Sequence, residues 1–408
     1  MAAPTTASAN PRTTTRPARV MLPAKKAAPL PAPHMPGPRL FQVMRVGLVV
    51  WTLVSTVLCL ASVLASQSHQ EASAGALIHA QDLRDLRSEV SQAQATALTS
   101  LVGSHASSAD LWKSYVDSRT QIDLLLLGSA ASAAHPTDLG HVADTLRTWQ
   151  ENIAVTHHDA SGSGISSTAS ADITASYTTV MSAIETELNA TTNQESSSTP
   201  FIVLSILASV LGGLGFVIVS ILTARRSHRV INIGLSIGLL AIIAAIVAVG
   251  VYANHSGQIS DTDSRISVLS QAQSDTWDVL TDDTLSVLEP EVWQSHVGAG
   301  AILLKSVQDN LNGMSSAADI GTPLDTLAAT QSDITTINDA DGRTVLVTNL
   351  SPWQDTASAI SSEIDVIRPD SADLVVPALG YVVTVATCCV IAIIATLAGI
   401  HARTKEYS

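Results

Sequence analysis

Few residues in this chain have types and spacing suited to chemistry. His157-His158-Asp159 places two imidazoles and a carboxylate side by side, the groups that ligate zinc. A zinc site also needs spacing that lets its ligands converge, and no cysteine or third histidine lies nearby. The cluster runs into the Ser/Gly-rich stretch 160–170 and reads as a solvated loop. Asp339-Ala340-Asp341-Gly342 offers oxygen ligands but lacks the alternating positions and distal glutamate of a calcium loop. It reads as a turn, with Thr344–Val347 as a short strand after it. Gly212-Gly213-Leu214-Gly215 sits in an apolar run, where glycines permit close helix contact rather than cradle phosphate. The three cysteines, Cys59, Cys388 and Cys389, also lie in apolar runs, and adjacent cysteines on a helix point apart. No catalytic, cofactor-binding or metal-ligating residue is assigned, no cofactor is implied, and the chain is read as non-enzymatic.

The elements that hold these residues are dominated by four apolar runs, Val46–Ala65, Phe201–Ala224, Val230–Ala253 and Val375–Ile400, none containing Asp, Glu, Lys, Arg or His. Each is close to the ~20 residues needed to cross a hydrocarbon core about 30 Å thick. The first is too long, and too far from the N-terminus, for a signal peptide. Of 21 Lys and Arg, 12 fall before the first run, between the second and third, and after the fourth. Region 66–199 has 15 acids against 5 bases, and 254–374 has 19 against 4. By the positive-inside rule the basic segments and both termini are cytoplasmic, and the acidic regions face outward in a multi-pass plasma-membrane protein. Spans without ionisable groups argue against an ion or proton path. Gly234 with Gly238, Ala208 with Gly212, and Ala395 with Gly399 supply small-residue packing faces instead.

The chain also repeats itself. Ser91-Gln92-Ala93-Gln94 returns as Ser270-Gln271-Ala272-Gln273, 179 residues on. Asp110-Leu111-Trp112 matches Glu291-Val292-Trp293, and Ser182-Ala183-Ile184 matches Ser358-Ala359-Ile360. These matches are collinear, and each copy is bracketed by two apolar runs. The expected fold is all-α: four transmembrane helices and two tandem extracytoplasmic helical domains, four-helix-bundle-like, from an internal duplication. The boundaries are 1–39, a disordered basic Pro-rich tail; 40–65, first span; 66–199, first outer domain; 200–224, second span; 225–229, a basic cytoplasmic loop; 230–253, third span; 254–374, second outer domain; 375–400, fourth span; and 401–408, a cytoplasmic tail. Leu83, Leu86, Val90, Ala93 and Ala97 follow helical spacing, and no proline separates the first or third run from the polar stretch after it, so each is expected to continue as one helix. The duplicated Trp112 and Trp293 are the candidate core anchors in domains built mostly of small residues.

The cytoplasmic segments are too short for an output domain. Two readings follow: a sensor-transducer that hands its signal to a separate partner, with Arg225, Arg226 and Arg229 as candidate relay, or a structural or assembly component of the cell envelope. A four-pass layout with two large outer helical domains, a short basic loop and no output domain resembles the GlnX family of actinobacterial membrane proteins. The outer domains are also similar to the four-helix ligand-binding bundles of bacterial chemoreceptors. The GlnX resemblance lies in the layout of residues 40–408 and brings no site residue with it. It implies an amino-acid-sensing role, with a solute-binding lipoprotein of the GlnH type outside and the Ser/Thr kinase PknG inside. Membrane lipids complete the expected partners. A homo-oligomer is compatible with the layout, and no nucleic acid is expected. The acidic outer domains favour a partner with a basic face.

Overall fold

The computed structural model describes residues 37–103, 105–132, 136–163, 167–194, 199–227, 233–312, 314, 319–368 and 378–406. Residues 1–36 of the Pro-rich tail, Arg229 with the rest of 228–232, and 164–166 of the Ser/Gly-rich stretch lie outside the described residues. Among the described residues the chain forms eleven α-helices and no strand.

Helix α1 (Gly37–Val102) is continuous for 66 residues, about 100 Å at 1.5 Å per residue. Helices α2 (His105–Ser132), α3 (Pro136–Ser163) and α4 (Ser167–Gln194) follow, then α5 (Thr199–Ser227) and the 56-residue α6 (Ile233–Leu288). The rest comprises α7 (Trp293–Asn312), α8 (Gly321–Thr336), α9 (Ala340–Val347), α10 (Ser351–Ile367) and α11 (Ala378–Glu406). Three helices are long and apolar enough to cross a membrane, over Val46–Ser68 of α1, Ser236–Leu288 of α6 and Gly380–Gly399 of α11. Helix α5 carries the shorter apolar stretch Val203–Val219.

At the apolar end α1, α5, α6 and α11 pack together, and glycines let them approach. A Cβ on Gly234 would overlap the Ala395 carbonyl oxygen and stand 2.6 Å from Gly399 Cα. One on Gly238 would meet the Phe216 ring at 2.6 Å, and one on Gly212 would meet Ser55 at 3.3 Å. Outward, Val50, Leu53, Val57, Ile206, Leu240 and Ile394 remain exposed, a continuous apolar surface of the kind that marks contact with lipid or another protein.

Away from this end α1 and α6 run parallel, side by side, with the other helices around them. Helices α2 and α4 pack on α1, and α3 packs on α4, around Leu83, Leu86, Val90, Ile122, Leu146, Trp149 and Ile184. Helices α7, α9 and α10 pack on α6 and α8 on α7 and α10, around Leu269, Leu280, Val307, Leu327, Trp353 and Ile360. The central helices are therefore buried on nearly every face, with Ser91, Gln94, Thr96, Thr99, Ser274, Thr276 and Thr284 at 0% exposure.

Two local readings change. Thr344–Val347 is helical, not a strand. Asp339 caps α9 by accepting from Gly342 N at 3.0 Å, and Arg343 pins the helix by donating to the Ile337 carbonyl at 2.9 Å and the Ser286 carbonyl at 3.2 Å. These contacts outweigh the strand preference of Val345 and Val347. His157-His158-Asp159 is in the last turns of α3 rather than in a loop, because the helix continues to Ser163.

Candidate functional site

The polar side chains with most chemistry lie in a seam where α1, α4, α6 and α7 meet. On α6, Asp275, Asp278, Asp282 and Asp283 fall at spacings of three, four and one, which puts them on neighbouring faces of one helix. Tyr177 of α4 donates its hydroxyl to Asp278 Oδ1. Ser91 Oγ of α1 lies 2.8 Å from both Tyr177 Oη and Ser274 Oγ. With the tyrosine proton directed at Asp278, the chain runs from Ser274 through Ser91 and Tyr177 to the carboxylate, joining three helices. Burial raises the Asp278 pKa to about 7, against the favourable bond from Tyr177 and the charge of Arg87. Burial also raises Asp275, which accepts from Gln271 Nε2 at 2.6 Å. The Tyr177 hydroxyl is pushed well up by burial and by the Asp278 charge.

Further along, Asp282 of α6 and Glu289, the residue just past its end, flank His296 of α7 at 3.7 Å and 3.1 Å. Burial raises the Asp282 pKa and the histidine charge opposes the rise. Ser170 of α4 donates to the other Glu289 oxygen at 2.8 Å, so this cluster ties the two helix groups together at their far end. Asp283 is fully buried and accepts from Gln331 Nε2 of α8 at 2.9 Å. Nearer the apolar end the same two groups are joined by Arg84–Asp263 at 2.7 Å and by Arg368–Asp85 at 2.8 Å.

A second constellation lies closer to the apolar end. His79 Nδ1 is 3.0 Å from Ser129 Oγ and His79 Nε2 is 3.4 Å from Glu187 Oε1. These are the residue types of a hydroxyl-nucleophile relay. Ser129 is 0% exposed and His79 4%, so the hydroxyl presents no face to a substrate in this conformation, and the chain serves to join α1, α2 and α4. Hydropathy reading missed both constellations, because their members are spread over as many as four helices.

The structure places the sequence candidates as follows. Trp112 is half-buried at the margin of the first core, its ring stacked on His157 at 3.5 Å and 14°. Trp293 is half-buried at the margin of the second, with the Arg343 guanidinium 4.5 Å over its ring. The fully buried tryptophans are Trp149 and Trp353. Arg225 is exposed near the end of α5; the Arg226 side chain and Arg229 lie outside the described residues. All three cysteines are free thiols. Cys59 Sγ stands 3.4 Å from both Ser205 Oγ and Ser209 Oγ. Cys59 and Cys389 border a cavity of about 30 Å³ that is also lined by Thr52, Ser55 and Thr56, large enough for a water molecule. Among the described residues no three His, Cys, Asp or Glu side chains are grouped to hold a metal ion. What the seam can do chemically is take up and release protons and hold α1, α4, α6 and α7 in one register. Comparison with protein families, characterised proteins and solved structures finds no match to this chain.

Proposed function

We propose that the protein is a non-enzymatic membrane sensor and transducer. Its four spans place two tandem helical domains, the products of a duplication, outside the cell, with both termini and the Arg225–Arg229 loop inside. In this reading an extracytoplasmic ligand or a solute-binding lipoprotein, amino-acid-binding in character, contacts the outer domains. The response reaches a cytoplasmic partner such as a Ser/Thr kinase through the loop and tails.

The observation that carries the reading is the pair of unbroken helices. Both α1 and α6 run from the apolar end into the polar helix groups, and they stay in contact along the way, from Tyr252 with Ser66 to Thr99 with Thr284. That span of α1 is about 50 Å long at 1.5 Å per residue. Two rigid helices in parallel contact can carry a displacement of ~1–2 Å from one end to the other. A polar seam is suited to this, because hydroxyl and carboxyl contacts can re-pair after a small slide where close-packed hydrocarbon would clash.

The test is affinity capture of the full chain from its own membranes in mild detergent. Recovery of a solute-binding lipoprotein and a kinase supports transduction. Recovery of cell-wall synthesis enzymes alone would move the reading to an envelope assembly component. The topology is checked separately: a reporter fused after residue 227 that is active outside the cell overturns it.

A further inference from the structure

Two buried acceptor atoms are left over where α6, α7 and α8 meet. Asp283 and Gln331 are 0% and 3% exposed and share one bond, from Gln331 Nε2 to Asp283 Oδ1 at 2.9 Å. The atoms beside that bond, Asp283 Oδ2 and Gln331 Oε1, have no hydrogen-bond partner among the described residues. Helix α7 is tight against both: a Cβ on Gly300 would lie 3.0 Å from Gln331 Nε2 and 3.1 Å from Asp283 Oδ1. An ionised aspartate here would be a buried charge with one carboxylate oxygen unmet, bonded to an amide whose own oxygen is also unmet, which is an unfavourable arrangement for a buried ion. A primary amide and a carboxylic acid, by contrast, pair through two parallel hydrogen bonds, N–H to C=O and O–H to C=O. One added proton converts both orphan atoms into a donor and its acceptor.

We propose that Asp283 is a proton-binding site: it remains a neutral carboxylic acid in the folded protein, accepting from Gln331 at Oδ1 and donating from Oδ2 to Gln331 Oε1, an acid–amide pair that latches α8 to α6. Burial and the neighbouring Asp282 charge both favour the neutral form. The other charged groups bordering this junction are His296 of α7, held by Asp282 and Glu289, and Arg343 of α9, held by the Ile337 and Ser286 carbonyls. Neither bonds to Asp283, so among the described residues no cationic side chain pairs with it. Loss of that proton leaves two acceptors facing each other and loosens α8 from the central helix. This inference does not depend on the sensor reading.

The test compares full-length protein in detergent micelles with its Asp283→Asn variant by infrared difference spectroscopy. Asparagine places an N–H where the acid has its O–H, so both bonds survive without a titratable proton. The expected result is a carboxylic-acid carbonyl band in the wild type at neutral pH that the variant lacks. Carboxylate bands in its place would overturn the proposal, whether the orphan atoms then hold water or a small cation. In Gln331→Leu the acid band should persist and move to the higher frequency of an unbonded acid; an unmoved band would remove Gln331 as its partner. In chemical unfolding, the wild-type unfolding constant relative to Asp283→Asn should rise about tenfold per pH unit, from the unfolded carboxyl pKa near ~4 up to the folded-state pKa. A flat ratio would overturn it.

Discussion

Arg84 and Asp263 face each other across the α1–α6 contact, Nη1 to Oδ1 at 2.7 Å and Nη2 to Oδ2 at 3.3 Å, and they stand 179 residues apart. The same offset separates Ser91–Gln94 from Ser270–Gln273. Because α1 and α6 run parallel, residues near the repeat offset meet at one height, although Ser91 meets Ser274 and Thr99 meets Thr284 at offsets of 183 and 185. The fork of Arg84 meets both carboxylate oxygens, a strong and geometrically specific form of ion pair. Side-chain exposure is 5% for Arg84 and 17% for Asp263.

Removing Arg84 therefore strands a largely buried carboxylate. Arg84→Ala is expected to cost about 3 kcal/mol in denaturant unfolding of the detergent-solubilised chain. Combining Arg84→Asp with Asp263→Arg should recover most of that loss. Failure of the exchange to recover stability would show that the packing of the arginine stem, rather than the charge pair, holds the helices at this height.

The seam predicts a pH dependence of one sign. The Asp278 pKa is raised to about 7, chiefly by burial, above an unfolded value near ~3.9. The folded state thus holds a proton that the unfolded state has released, and stability contributed by Asp278 is lost as pH rises from about 4 through about 7. Tyr177 of α4, Arg87 of α1, and Asp275 and Asp282 of α6 face this carboxyl and set the midpoint. Asp278→Asn should flatten this part of the profile. A wild-type stability that climbed steadily across the same range would contradict the assignment.

Glycines at the apolar end separate contact from mere composition. Gly234 has no room for a methyl group, because its Cβ would overlap the Ala395 carbonyl oxygen, which is backbone and cannot swing away. Gly250, on the same helix, would meet nothing within 4 Å. Gly234→Ala should lower the melting temperature of the solubilised protein, consistent with an overpacking cost of ~1–3 kcal/mol. Gly250→Ala should leave it level or slightly raised, since alanine is the better helix former by ~1 kcal/mol. Equal responses at the two positions would mean that α6 and α11 do not touch at Gly234.

Much of the architecture was legible because helical spacing and hydropathy point the same way along α1. Leu83, Leu86, Val90, Ala93 and Ala97 are all buried at the expected spacing, and with no intervening proline the helix passes unbroken from apolar to polar sequence. The seam was not legible, for a physical reason. Ser91, Thr99, Ser274, Asp278 and Asp283 have the composition of a solvated helix face, and only packing by other helices makes them interior. The spacing of the four aspartates on α6 was a usable signal that hydropathy concealed. Thr344–Val347 misled in the opposite way, since β-branched residues suggest a strand until the Asp339 cap and the Arg343 anchors are seen to hold a helix.

The tryptophans give the clearest contrast between what a repeat marks and what a core rests on. Trp149 is 0% exposed, donates its indole N–H to Gln94 Oε1 of α1 at 2.8 Å, and meets the Tyr115 ring edge-on at 6.4 Å. Truncation would remove the largest side chain of the first core, leave a cavity, and orphan the Gln94 oxygen. Trp149→Ala is expected to cost about 3–5 kcal/mol. Trp112, although it belongs to the repeated motif, is half-buried and stacks on His157 at the margin. Its alanine variant loses only part of its apolar contact and should cost less, about 1–2 kcal/mol. Burial lowers the His157 pKa, so the stacked face favours the neutral imidazole. Stability from that contact is therefore present above the unfolded histidine value near ~6.5 and declines as pH falls through the lowered folded value. Denaturant unfolding of the two alanine variants, followed through the remaining tryptophans, checks the order. A larger loss at Trp112 than at Trp149 would place the repeated residue, not the buried one, at the centre of the domain.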